Sequence, residues 1–150
     1  MRRFFIISCL CVFFITCTKE YYNPIPSLPV YLEVDLTFRD KILWQSPLSY
    51  KIFTPQNIIT GKERTGYAGV LVTSSIFGGY MAFDVACPNE ARPDAVIEID
   101  DDNNAVCKVC GSKYEVILNG GSGICTGGPS QYALRSYRTT LRDKILIVRN

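Results

Sequence analysis

The 150-residue sequence contains seven cysteines and no histidine, and those two counts bound its chemistry. Without imidazole there is no Ser–His or Cys–His nucleophile, no histidine-ligated metal and no imidazole pH switch. No other nucleophile–base pair is evident, so the chain is expected not to be an enzyme. Four cysteines, Cys87, Cys107, Cys110 and Cys125, fall where the pattern reads as a folded domain. Thiols there can pair, ligate a metal or hold an iron–sulfur cluster. Cys107-Lys108-Val109-Cys110 has good chelate spacing for one ion, but Cys87 and Cys125 stand alone, which makes half of a zinc motif. An even count is also met by two disulfides. A thioredoxin-like dithiol fits least, because this Cys-x-x-Cys precedes a strand pattern and does not open a helix.

The N-terminus indicates which compartment these thiols meet. Arg2 and Arg3 precede an apolar run, Phe4 to Ile15, broken only by Ser8. The run is shorter than the roughly 20 residues a spanning helix needs and fits a secretion signal. Phe14-Ile15-Thr16-Cys17 then resembles a lipobox, making residues 1–16 the signal and Cys17 the lipidated mature N-terminus. Cys9 and Cys11 would leave with the signal. Arg2-Arg3-Phe4-Phe5 also resembles a twin-arginine core, although a positive n-region accounts for it. Residues 17–29, with Pro24, Pro26 and Pro29, read as the lipidated cysteine and an extended tether, followed by a domain over 30–150. The chain is therefore expected in the cell envelope, at the outer membrane, held to lipid by its anchor. Losing Arg2 and Arg3 takes 16 basic residues to 14 against 14 acidic, which offers no footprint for nucleic acid.

The elements that must position the thiols are strands. Val30, Leu32, Val34, Leu36 and Phe38 share one face of a first strand. Further strands are predicted at 69–74, 80–85, 95–99, 113–118, 136–141 and 144–149, and no helix-period segment of any length occurs. Gly78-Gly79, Asp102-Asn103-Asn104, Asn119-Gly120-Gly121 and Gly127-Gly128-Pro129 supply turns between them. Many short strands with frequent turns predict an all-β sandwich or small barrel. The acidic run at Asp100-Asp101-Asp102 lacks calcium-loop spacing and reads as a solvated turn. Trp44, Tyr50 and Phe53 are expected in the core rather than in a binding groove.

Three local sequences occur in register. Phe83-Asp84-Val85-Ala86-Cys87-Pro88-Asn89 is followed by Cys107-Lys108-Val109-Cys110-Gly111-Ser112-Lys113-Tyr114, and then by Gly127-Gly128-Pro129. Over about residues 67–150 this resembles the Rieske iron–sulfur domain, whose Cys-x-His and Cys-x-x-His-Gly-Ser-x-Tyr loops are covered by a Gly-Pro loop. The resemblance implies a Rieske-like β-sandwich with a small cluster-binding-like subdomain at 84–129. It also makes Cys87, Cys107, Cys110, Ser112 and Tyr114 the cluster-site equivalents. Asn89 and Cys110 stand where the family has its two histidines, which excludes a Rieske cluster in the strict sense. In Rieske geometry Cys87 and Cys107 converge and would bridge, leaving Cys110 to pair with Cys125 where the Gly-Pro loop folds over the site, while the sequence leaves the other connectivities open. Disulfides and no cofactor are thus the first expectation. The alternatives are zinc on Cys87, Cys107, Cys110 and Cys125, or an electron carrier with a thiolate-ligated iron–sulfur cluster. The implied function is a lipid-anchored Rieske-like module with a binding or structural role.

Overall fold

The computed structural model describes residues 22–150. The signal, Cys17 and the first part of the tether lie outside the described residues. From Val30 onward the chain is almost entirely β. The strands are β1 (Val30–Asp35), β2 (Tyr50–Phe53), β3 (Arg64–Thr65), β4 (Val70–Ser74), β5 (Tyr80–Asp84), β6 (Ile97–Ile99), β7 (Asn104–Cys107), β8 (Lys113–Glu115), β9 (Cys125–Gly127), β10 (Ser136–Arg142) and β11 (Ile145–Arg149). One four-residue helix, α1 (Ile42–Gln45), and a 3-10 turn at Leu118–Gly120 complete the set. Seven strands form an antiparallel sheet in the order β2-β4-β5-β10-β11-β1-β3, curled into a nearly closed barrel. The other four form a small antiparallel sheet, β6-β7-β8-β9.

The two sheets share one wall. All five residues of β4 are buried, because both of its faces are covered. Val70 and Val72 point into the barrel with Val30, Leu32, Val34, Phe53, Leu146 and Val148. Leu71 points the other way, against Phe83, Ile97, Tyr114, Val116 and Leu134 of the small-sheet core. This is why the sequence there is a continuous apolar run rather than an alternation. Thr73, on the second face, donates its hydroxyl to the Val116 carbonyl at 2.9 Å and ties the sheets together.

Strand ends follow local hydrogen bonding. The β1 alternation runs through Leu36, but Phe38 is 79% exposed. The Asp35 carboxylate accepts the N–H groups of Thr37 (2.8 Å) and Phe38 (3.3 Å), turning the chain before Phe38 can join the face. Likewise β8 stops at Glu115, three residues earlier than the pattern predicts. Its carboxylate accepts Ser122 N–H at 2.9 Å and Gly121 N–H at 3.3 Å and draws the following loop back. Of the three aromatics expected inside, only Phe53 is core. Tyr50 begins an edge strand, and Trp44 lies on the surface with Lys144 Nζ 5.4 Å from its ring centre.

The segment before β1 is extended but not free. Ile25 is fully buried, its carbonyl accepts Arg135 Nε at 2.9 Å, and Asn23 Nδ2 donates to the Ala133 carbonyl at 3.0 Å. The packed segment therefore reaches back at least to Asn23, seven residues before the predicted domain start. Apolar burial at Ile25 outweighs the proline-rich composition that suggested a linker. Ile25→Ala should cost about 3 kcal/mol in urea unfolding. A change below about 0.5 kcal/mol, as expected of a tether residue, would contradict this docking.

Candidate functional site

Two tight turns bring three thiols together. Beyond Asp84 the β5 chain continues outward, with Val85 N–H on the Gly69 carbonyl (3.0 Å) and Cys87 N–H on the Ala95 carbonyl (2.8 Å). The Cys87 carbonyl then accepts Glu90 N–H (3.2 Å) and Ala91 N–H (2.9 Å), closing a turn with Ala91 at φ +51°. The second turn joins β7 to β8. Gly111 N–H donates to the Cys107 carbonyl at 2.8 Å and Cys107 N–H to the Ser112 carbonyl at 2.9 Å. Gly111 sits at φ +75°, where a side chain would be strained.

The sulfurs of Cys87, Cys107 and Cys110 all lie within 4.8 Å of one another. Cys87 and Cys107 are fully buried, and Cys110 is half-buried at the rim. Cys87 Sγ is 3.6 Å from Cys110 Sγ, and the buried Tyr114 hydroxyl is 3.3 Å from Cys87 Sγ. Ser112 Oγ is 3.2 Å from Cys110 Sγ and accepts Ser130 N–H at 3.1 Å. The Gly-Pro loop thus packs onto the thiol turn. A Cβ on Gly128 would stand 2.6 Å from Ser112 Cα, so only glycine lets the loop approach this closely. The N-terminal segment reaches the same end, where the Tyr22 ring meets Tyr132 edge-on at 6.2 Å.

Five of the sequence-derived site residues, Cys87, Cys107, Cys110, Ser112 and Tyr114, are therefore brought together, and Cys125 is not among the three clustered thiols. It opens β9 and donates its S–H to the Gly127 carbonyl at 3.3 Å. The four thiols are unbonded in the structure. The four-cysteine zinc set and the pairing of Cys110 with Cys125 both need Cys125 as a member, and the convergence is of three. Counting cysteines treats them as equivalent, but β9 places Cys125 by its strand register. Gly128 belongs to the Gly-Pro loop that the resemblance set over the site, and Ser130 is a supporting residue that sequence reasoning missed.

The three thiols are not equal electrostatically. Burial pushes Cys87 up to about 11, against which the Tyr114 hydroxyl and backbone N–H groups act only in part. Burial also pushes Cys110 upward, but hydrogen bonds from the Ser112 hydroxyl and N–H and from the Cys87 and Cys107 thiols outweigh it. Cys110 ends below its ordinary value. Tyr114 is held neutral by burial and by its bond to Cys87.

A Rieske [2Fe–2S] centre needs two thiolates on one iron and two imidazoles on the other. Asn89, which the resemblance would set at the first imidazole position, is exposed and gives its amide to the Glu90 carboxylate at 3.2 Å. Cys110 would take the second. Three thiols and an outward-facing amide do not fit that group.

A different feature lies at the opposite end of β5. Trp44 lines an apolar groove of about 270 Å³ with Leu43, Pro47, Ile76, Tyr80 and Leu141. The apolar pair Ile76-Phe77 before Gly78-Gly79 is the sequence feature that could have pointed to it, and sequence reasoning did not use it. No family model, curated protein or solved structure matches the chain.

In the reduced, metal-free protein, Cys110 should alkylate first, with a pH midpoint below 9. Cys87 should stay protected until about pH 11. Peptide mass spectrometry after iodoacetamide pulses at stepped pH reads the order. Equal rates at Cys87 and Cys110 would contradict the asymmetry.

Proposed function

We propose that this chain is a lipid-anchored protein of the cell envelope, held at the outer membrane through Cys17. Its β domain is a Rieske-like module that works without a [2Fe–2S] cluster, in a binding or structural role rather than as an enzyme. The observation that carries this reading is the convergence of Cys87, Cys107 and Cys110 beneath the Gly127-Gly128-Pro129 loop, with Asn89 facing outward. In the family that the motifs resemble, the cluster ties two loops together. Here the converged thiols take over that duty as a cross-link. Bridging Cys87 to the Cys107–Cys110 turn closes a loop of about 20 residues, which would stabilise by roughly 3 kcal/mol on the chain-entropy account.

The electron-carrier reading keeps one point of support, the hydroxyls of Ser112 and Tyr114 set against Cys110 and Cys87. Colour and iron content separate the two readings, since an iron–sulfur protein is brown.

Expressed in a bacterium with its own N-terminus, the protein should fractionate with membranes. Its intact mass should equal the chain from Cys17 plus acyl groups. Cys17→Ala should release it to the soluble envelope fraction, and the purified wild type should be colourless. An exported chain with an unmodified Cys17 would refute the anchor. Stoichiometric iron with visible absorption would make the domain a redox carrier.

A further inference from the structure

We infer that Cys87, Cys107 and Cys110 form a three-thiolate site for one thiophilic d10 cation, zinc(II) or copper(I). The inference deepens the reading of the thiol pocket as a cross-link by naming what makes it, and it is independent of the lipid anchor.

The odd number is the first argument. A disulfide consumes two of the three thiols and strands the third, in a pocket where two of them are fully buried. One ion uses all three. Geometry is the second. A metal–sulfur bond of about 2.3 Å sets the sulfurs of a trigonal or tetrahedral site roughly 3.8–4.0 Å apart. The three sulfurs, all within 4.8 Å of one another, need move only by tenths of an ångström.

The surroundings are the third. The Tyr114 hydroxyl lies 3.3 Å from Cys87 Sγ. The Cys110 S–H donates to Ser112 Oγ at 3.2 Å. Ser112 is itself fixed by Ser130 N–H at 3.1 Å. Once the thiols give up their protons to a metal, both hydroxyls stand where their O–H can turn to sulfur, the outer support that metal-bound thiolates take. Soft thiolates with no oxygen or nitrogen ligand among them select zinc or copper(I) over hard cations. The rim beside half-buried Cys110 leaves room for water as a fourth ligand if zinc is the ion. Binding replaces three S–H bonds by three metal–sulfur bonds and releases three protons, with no change of oxidation state.

The test titrates the full chain, purified reduced and without chelator, with zinc(II) and, separately and anaerobically, with copper(I), each against a chromophoric competitor. Cobalt(II) serves as the spectroscopic probe for zinc. One equivalent should bind, with a sulfur-to-cobalt charge-transfer band and about three protons released. Cys107→Ser and Cys110→Ser should each lose at least about 100-fold in affinity, and Cys125→Ser should lose nothing. Ser112→Ala, which removes no ligand, should weaken binding about 10–100-fold. Tighter binding by either ion identifies it. Absence of stoichiometric binding by both, or an equal loss in Cys125→Ser, would overturn the inference. Where zinc is the ion that binds, air oxidation of Cys87 and Cys110 to a disulfide at the same rate with and without equimolar zinc would overturn it too.

Discussion

The β4–β5 ribbon is buried on both faces, and most of the architecture follows from that constraint. A two-stranded ribbon covered on both sides must be apolar at consecutive positions, and Val70-Leu71-Val72 and Ala82-Phe83 are. One face closes the barrel, and the other requires a second layer, supplied by β6 to β9. A single sheet with one solvated face would have left Leu71 and Phe83 in water. Each buried side chain of that size contributes about 1.5–3 kcal/mol, so the small sheet is held chiefly by what it covers.

The same ribbon delivers the thiols. At its end Asp84 is fully buried with no ion-pair partner among the described residues, its carboxylate accepting Tyr67, Ala68 and Ala86 N–H and the Tyr137 hydroxyl at 2.7 to 3.3 Å. Burial and the adjacent carboxylate raise Tyr137, so its hydroxyl keeps its proton and remains a donor. Four donors stand in for a counter-ion and fix the direction in which the chain leaves β5 toward Cys87. From there two turns and one glycine contact suffice to set three sulfurs in one pocket. Positioning is thus inherited from the core, and the chemistry sits on short turns at its edge.

Much of this was legible in the sequence, for identifiable reasons. The strands from 70 to 149 carry strong patterns or sit between turn residues, and all six of those predicted occur, although β6 and β8 are shorter than their patterns. The strands passed over, β2, β3, β7 and β9, are two to four residues long, too short for periodicity to register. Asn104–Cys107 was absorbed into a predicted turn on one side and a cysteine motif on the other. Ile25 was masked by three prolines, since composition reports backbone stiffness and says nothing of whether a side chain finds a cavity. At the site, Ser112, Tyr114 and the three clustered cysteines were visible through their spacing. Cys125 stands outside the group of three, its place set by the strand register of β9, which its spacing alone does not reveal. Trp44 and Ile76 line a groove that only the meeting of α1 with the β4–β5 hairpin creates.

The central claim is that the thiols converge as a set of three, with Cys125 apart. Brief oxidation of the reduced, metal-free protein, followed by disulfide mapping of the first product, tests it most directly. The account predicts a single bridge among Cys87, Cys107 and Cys110, with Cys125 still reduced. A first product joining Cys110 to Cys125 would contradict it.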